Sequence, residues 1–176
     1  MNVVLIGYRG TGKSTVARHL SQALGYQVVS LDEEIVRRAG QPIPAIVADR
    51  GWDGFRDLEE QVCRSCAAGE RLILDCGGGV VEREANHSAL RNAGPVFWLT
   101  ASPEVIVRRI ESGDQRPSLT GDRSFTDEVE QVLERRIPLY RRLATVEVST
   151  EHRTPAQVAA EIAGHVSRAN GRSRAK

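Results

Sequence analysis

The chain has 176 residues, the length of about one domain, enough to bury roughly 70% of the surface its unfolded form exposes. Its 24 basic and 23 acidic side chains leave a net charge of +1, so neither nucleic acid nor a membrane surface is expected as a partner. Apolar runs such as Val3–Ile6 and Val96–Leu99 are far shorter than the ~18 residues of a membrane span, and no basic segment leads into a signal-type apolar core at the N-terminus, so a cytoplasmic location is expected.

Asn2–Gly7 is a continuous apolar run that ends in glycines, and from Ser14 the positions Val16, Leu20 and Leu24 keep helical spacing up to Gly25. This predicts strand, loop and helix. Tyr26–Leu31 reads as a second buried strand, followed by a helix over Glu33–Arg38, a break at Gly40–Pro42, and helices through Ile43–Ala67 interrupted at Gly51. Leu72–Leu74, Pro95–Leu99 and Thr145–Val148 read as the third, fourth and fifth strands. Helices are expected at Arg83–Asn92, Pro103–Ser112, Thr126–Tyr140 and Pro155–Arg168. Apolar strands alternating with helices predict an α/β fold with a parallel sheet covered on both faces. Residues 113–124 are polar and rich in turn formers, which predicts a mobile lid. The domain is expected to span 1–168, with 169–176 as a frayed tail.

Of the 24 basic residues 22 are Arg, and the lysines are Lys13 and Lys176. The single internal Lys stands where a compact ammonium suits a phosphate better than a planar guanidinium. Cys63, Cys66 and Cys76 lack the second pair that a four-ligand zinc site needs and read as packed thiols.

Gly7-Tyr-Arg-Gly-Thr-Gly-Lys-Ser14 fits G-x-x-x-x-G-K-S/T at every fixed position, directly after a strand and before a helix. In such a P-loop the backbone N–H groups cradle phosphate oxygens, and the helix N-terminus adds its positive end. Gly10, Thr11, Gly12, Lys13, Ser14 and Thr15 are the expected nucleotide-binding residues. Lys13 meets the β- and γ-phosphates, with no burial role of its own expected, and the Ser14 hydroxyl ligates Mg²⁺. A GTPase would need Asn-Lys-x-Asp, which a chain with one internal Lys lacks, and a motor ATPase would end its third strand in Asp-Glu rather than Asp75-Cys76.

Five further features accompany the P-loop: Asp32 after the second strand, Gly54-Phe-Arg-Asp-Leu-Glu59, Gly77-Gly-Gly79 after the third, Arg116-Pro117, and Arg136-Ile-Pro-Leu-Tyr140. In order and spacing, from Met1 to about Gly164, the chain resembles shikimate kinase. The resemblance implies a nucleoside-monophosphate-kinase-type P-loop fold, with a five-stranded parallel sheet of order 2-3-1-4-5 flanked by helices, and ATP-dependent phosphorylation of the 3-hydroxyl of shikimate. It implies that Arg56 and Arg136 clamp the substrate carboxylate, that Asp32 holds ring hydroxyls and accepts the proton of the attacking one, and that Gly77, Gly78 and Gly79 allow close backbone approach. It also implies that Arg116 reaches the phosphates as the lid closes, while Arg109 and Arg153, with the loop at 150–155, enclose adenine. The bare residues leave blander readings: Arg56 in a surface ion pair with Glu59 or Glu60, Arg136 on a solvated face, Asp32 as a helix N-cap.

Two positions depart from the family pattern. Shikimate kinases usually carry Asp-x-Asp at the end of strand two, whereas this chain reads Ser30-Leu-Asp32. Asp75 ends the third strand, where most other P-loop proteins place a metal-directed Asp, and is the expected carboxylate for Mg²⁺; the blander reading is a polar strand end facing the amides of Gly77–Gly79. Val47 stands where an aromatic often lines the substrate pocket. The expectation is a monomeric kinase using ATP and Mg²⁺; a related kinase such as a gluconate kinase and a catalytically silent nucleotide-binding regulator are the other readings open here.

Overall fold

The computed structural model describes residues 1–111 and 125–173. Its strands are β1 (Val3–Ile6), β2 (Gln27–Ser30), β3 (Leu72–Asp75), β4 (Val96–Thr100) and β5 (Val146–Ser149). They form one sheet in the order β2-β3-β1-β4-β5, parallel throughout, as the resemblance implies. The helices are α1 (Lys13–Leu24), α2 (Leu31–Ala39), α3 (Ile43–Ala67), α4 (Glu84–Ala93), α5 (Pro103–Glu111), α6 (Phe125–Leu143) and α7 (Pro155–Ser173).

The consecutive apolar residues of β1 follow from burial on both faces. Val4 and Ile6 pack with Leu31, Ile35, Phe55 and Tyr140 from α2, α3 and α6. Val3 and Leu5 pack with Val16, Leu20, Val158 and Ile162 from α1 and α7. A smaller cluster of Tyr8, Ile106, Val129 and Leu133 joins the phosphate loop to α5 and α6. Among the described residues no helix is long and apolar enough to cross a membrane.

Several boundaries differ from the sequence expectation. Leu31 opens α2 instead of ending β2, because Ser30 acts as its N-cap: the hydroxyl accepts from the Glu33 amide at 3.3 Å. Asp32, Glu33 and Glu34 in the first turn and Arg37 and Arg38 in the last then match the helix dipole. A 3-10 turn at Val80–Glu82 precedes α4, which begins at Glu84. Helix α7 runs past Arg168 to Ser173. The interruption predicted at Gly51 is a kink within α3, where φ is +69°. The predicted lid at 113–124, with Arg116, lies outside the described residues. Cys63 and Cys76 are buried free thiols, and burial pushes the Cys63 thiol up to about 12.

Candidate active site

Ligands of open parallel sheets sit beyond the carboxyl ends of the strands, and here those ends carry the P-loop (after β1), Asp32 (after β2), Asp75 and the three glycines (β3), and Thr150 (after β5). Gly12 caps α1 with φ +88°, a left-handed conformation that a side chain rarely adopts. Thr11 Oγ1 donates to the Tyr8 carbonyl at 2.8 Å, which closes the loop on itself. Lys13 Nζ donates to the carbonyls of Gly7 at 2.9 Å and Tyr8 at 3.0 Å. Contrary to expectation, Lys13 is buried; an ammonium at this depth is held by loop carbonyls instead of water. Ser14 is exposed in the first turn of α1, and the Thr15 hydroxyl accepts from Arg18 at 3.4 Å.

Each glycine of the triplet lies against a different predicted site residue. A Cβ at Gly77 would stand 2.6 Å from Asp32 Oδ1, and one at Gly79 would overlap the Arg56 guanidinium. A Cβ at Gly78 would lie 3.6 Å from each of Arg136 Nη1, the Arg9 amide nitrogen and the Gly7 carbonyl oxygen. The floor shared by Asp32, Arg56 and Arg136 therefore touches the P-loop itself. Tyr140 Oη donates to the Gly78 carbonyl at 2.5 Å while its ring stacks on Trp98, 5.6 Å between centroids. These two contacts fix the end of α6 that carries Arg136.

The arginines are paired inside the protein. Arg56 Nη1 donates to Glu59 at 2.7 Å, and the pair is buried, so it is no surface ion pair. Burial pushes the Glu59 carboxyl up, and Arg56 only partly offsets this. Arg136, with its side chain 12% exposed, is tied to Glu82 through Nε at 2.8 Å and Nη2 at 2.7 Å. Glu82 also contacts Arg56 Nη2 at 3.3 Å and Arg135 at 2.9 Å. Burial raises the Glu82 carboxyl, but Arg136 foremost, then Arg56 and Arg135, bring it below the usual carboxylate range. Neither Glu59 nor Glu82 was a candidate site residue; the i,i+3 spacing of Arg56 and Glu59 was the available signal.

On the opposite flank Arg109 donates to the Gly10 carbonyl at 3.4 Å and to the Thr150 hydroxyl and carbonyl at 2.9 Å each. It thereby links α5, the P-loop and the loop after β5. Arg153 is drawn towards α7: it donates to the Ser149 carbonyl at 3.2 Å and pairs with Glu161 at 2.6 Å. Asp75 is buried at the end of β3, beside Ser30 in register. The N-cap role considered for Asp32 belongs to Ser30.

A family model described as "Shikimate kinase" matches residues 9–167. A shikimate kinase from Nitratidesulfovibrio vulgaris is 46% identical over 81% of this chain and 82% of its own length. One from Rhodopirellula baltica is 40% identical over 92% and 88%. The solved structure of shikimate kinase from Acinetobacter baumannii, in complex with shikimate, superposes with a TM-score of 0.88 at 31% identity, covering 95% of this chain and 93% of that one. With a P-loop, a glycine floor and paired arginines in one cleft, and with relatives this similar over most of their length, the chain belongs to the shikimate kinase family.

Proposed function

We infer that the chain transfers the γ-phosphoryl group of ATP to the 3-hydroxyl of shikimate, giving ADP and shikimate 3-phosphate. The observation that carries this reading is the position of Gly78, where a Cβ would lie 3.6 Å from both Arg136 and the P-loop backbone. An acceptor held over the glycine floor is thereby brought next to a donor held in the P-loop.

In this reading Arg56 and Arg136 grip the substrate carboxylate, for which a planar guanidinium offers two parallel N–H donors. Asp32, beside Gly77, accepts hydrogen bonds from ring hydroxyls and takes the proton as the hydroxyl oxygen bonds to the γ-phosphorus. The bond from that phosphorus to the bridging oxygen breaks, and ADP leaves. Lys13, Gly10, Thr11, Gly12, Ser14 and Thr15 hold the phosphates, while Arg109 and Arg153 border the adenine. Arg116 adds positive charge from the lid as negative charge spreads over the transferring oxygens.

Mg²⁺ suits the donors present, which are oxygens: the Ser14 hydroxyl and the Asp75 carboxylate. Among the described residues no three His, Cys, Asp or Glu form a cluster, which agrees with an ion that keeps waters and phosphate oxygens in its shell. Bound there, the ion would neutralise charge on the β- and γ-phosphate oxygens. We further propose a cytoplasmic monomer whose single kinase domain spans 1–168 and whose partners are small molecules.

The test is ADP release by the purified chain with shikimate, with gluconate and with no acceptor. Release that depends on shikimate supports the reading. Equal release in all three, or release with gluconate alone, overturns it.

A further inference from the structure

Glu82 sits where the two substrate-gripping arginines meet. One of its oxygens accepts from Arg136 Nε and Nη2 and from Arg135, and the other lies 3.3 Å from Arg56 Nη2. A carboxylate spanning two guanidinium groups has the geometry that a bound carboxylic acid would adopt between them. Its attachment is short: the Glu82 amide donates to the Gly79 carbonyl at 3.0 Å, which sets the residue immediately beyond the glycine floor. Arg56 and Arg136 are nearly buried, whereas Arg135 is exposed, 67% by its side chain. The solvent side thus offers Glu82 a cationic partner when it releases the inner pair.

We propose that Glu82 is an internal competitor for the substrate carboxylate: it neutralises and aligns Arg56 and Arg136 between turnovers, yields them to shikimate, and reclaims them as the product leaves. This rests on the reading that those two arginines bind the substrate. Both substrate and product carry the carboxylate, so one competitor weakens both by the same factor. If Glu82 leaves the arginines available about one-tenth of the time, apparent affinity is about tenfold below that of an always-open site. A residue that only positioned the arginines would have the opposite effect, since its loss would weaken binding.

The experiment is steady-state kinetics of the full chain and of Glu82→Gln, which keeps the side-chain volume and removes the charge. Glu82→Asp, which keeps the charge on a shorter arm, is measured beside it, with thermal unfolding of each. In Glu82→Gln the shikimate KM is expected to fall roughly 3- to 10-fold, the product inhibition constant to fall by the same factor, and the KM for ATP to stay put. Glu82→Asp should shift both constants in the same direction by less. A shikimate KM that rises or stays constant in a folded Glu82→Gln, or a matching change in the ATP constant, overturns the proposal. Shikimate carboxamide separates the two layers: if the unmodified chain accepts it as readily as shikimate, the assignment of the arginines fails; if it discriminates and Glu82→Gln does not tighten, the competitor alone fails.

Discussion

Ser30 and Asp75 stand side by side as Cα partners on β2 and β3, a helix-capping hydroxyl beside a buried carboxylate. The Ser30 hydroxyl is committed to the Glu33 amide at the start of α2. Asp75 lies one strand over, on the strand next to the P-loop strand, whose Leu5 is its other register partner, and it is the carboxylate proposed above to orient Mg²⁺. Asp75→Asn is expected to raise the Mg²⁺ requirement and lower kcat, by about 10- to 100-fold if it acts through metal-bound water. Ser30→Ala is expected to leave both unchanged and to lose about 1 kcal/mol of stability through the missing cap. Activity titrated against Mg²⁺, with thermal unfolding alongside, checks both; an unchanged Mg²⁺ optimum in Asp75→Asn contradicts the assignment.

Lys13→Ala is expected to remove at least about 10²-fold of turnover, on the scale of losing one preorganised donor to developing charge. Because Nζ holds the Gly7 and Tyr8 carbonyls, the variant should also unfold at a somewhat lower temperature, yet still cooperatively. Circular dichroism melts together with ADP release distinguish loss of chemistry from loss of fold. Turnover like that of the parent chain would remove the phosphate role from Lys13.

Arg136→Lys keeps a positive charge and loses the paired N–H geometry. At about 1.5–3 kcal/mol for a hydrogen bond to a charged group, the shikimate KM should rise roughly 10- to 100-fold. The ATP KM should barely move, since the Arg136 contacts run to Glu82 and the glycine floor. An effect confined to ATP would place Arg136 on the other ligand.

Acid stability follows from Glu82 with a definite sign. Its carboxyl lies below the usual range because Arg136, Arg56 and Arg135 together outweigh its burial. The folded state therefore binds this proton less readily than the unfolded chain. The stabilisation is fully present above the ordinary Glu value of about 4.3 and is lost as pH falls through the lowered folded value. Glu59, raised by burial, acts in the opposite direction and should be destabilising while ionised. Urea unfolding midpoints between pH 3 and 7 should therefore show a shallower acid decline in Glu82→Gln than in the parent chain. Identical acid limbs would mean the ion pairs contribute nothing net.

Much of the donor half of the cleft was legible because it is local. β1, the glycine-rich turn and α1 are contiguous in the chain, and the loop-to-helix chemistry needs only residues 7–15. The sheet was legible too, since runs such as Val3–Ile6 and Val96–Leu99 are apolar at every position only when both faces are covered. The acceptor half was read through resemblance, and its internal pairings were out of reach. Glu82 meets Arg56 and Arg136 only once α3, the 3-10 turn and α6 have come together, and a Glu three residues past a glycine triplet looks like any exposed turn residue. In the sequence Ser30 stands out only as a replaced carboxylate; its capping role depends on where β2 ends, and a boundary shift of one residue conceals it.

Phosphoryl transfer to the 3-hydroxyl of shikimate is read from the product itself. The purified chain is incubated with ATP, Mg²⁺ and shikimate, and the phosphorylated hydroxyl is identified by phosphorus–proton coupling in NMR. One product is expected, shikimate 3-phosphate, formed mole for mole with ADP. ADP formed without a phosphorylated acceptor, or phosphate on a different hydroxyl, would contradict it.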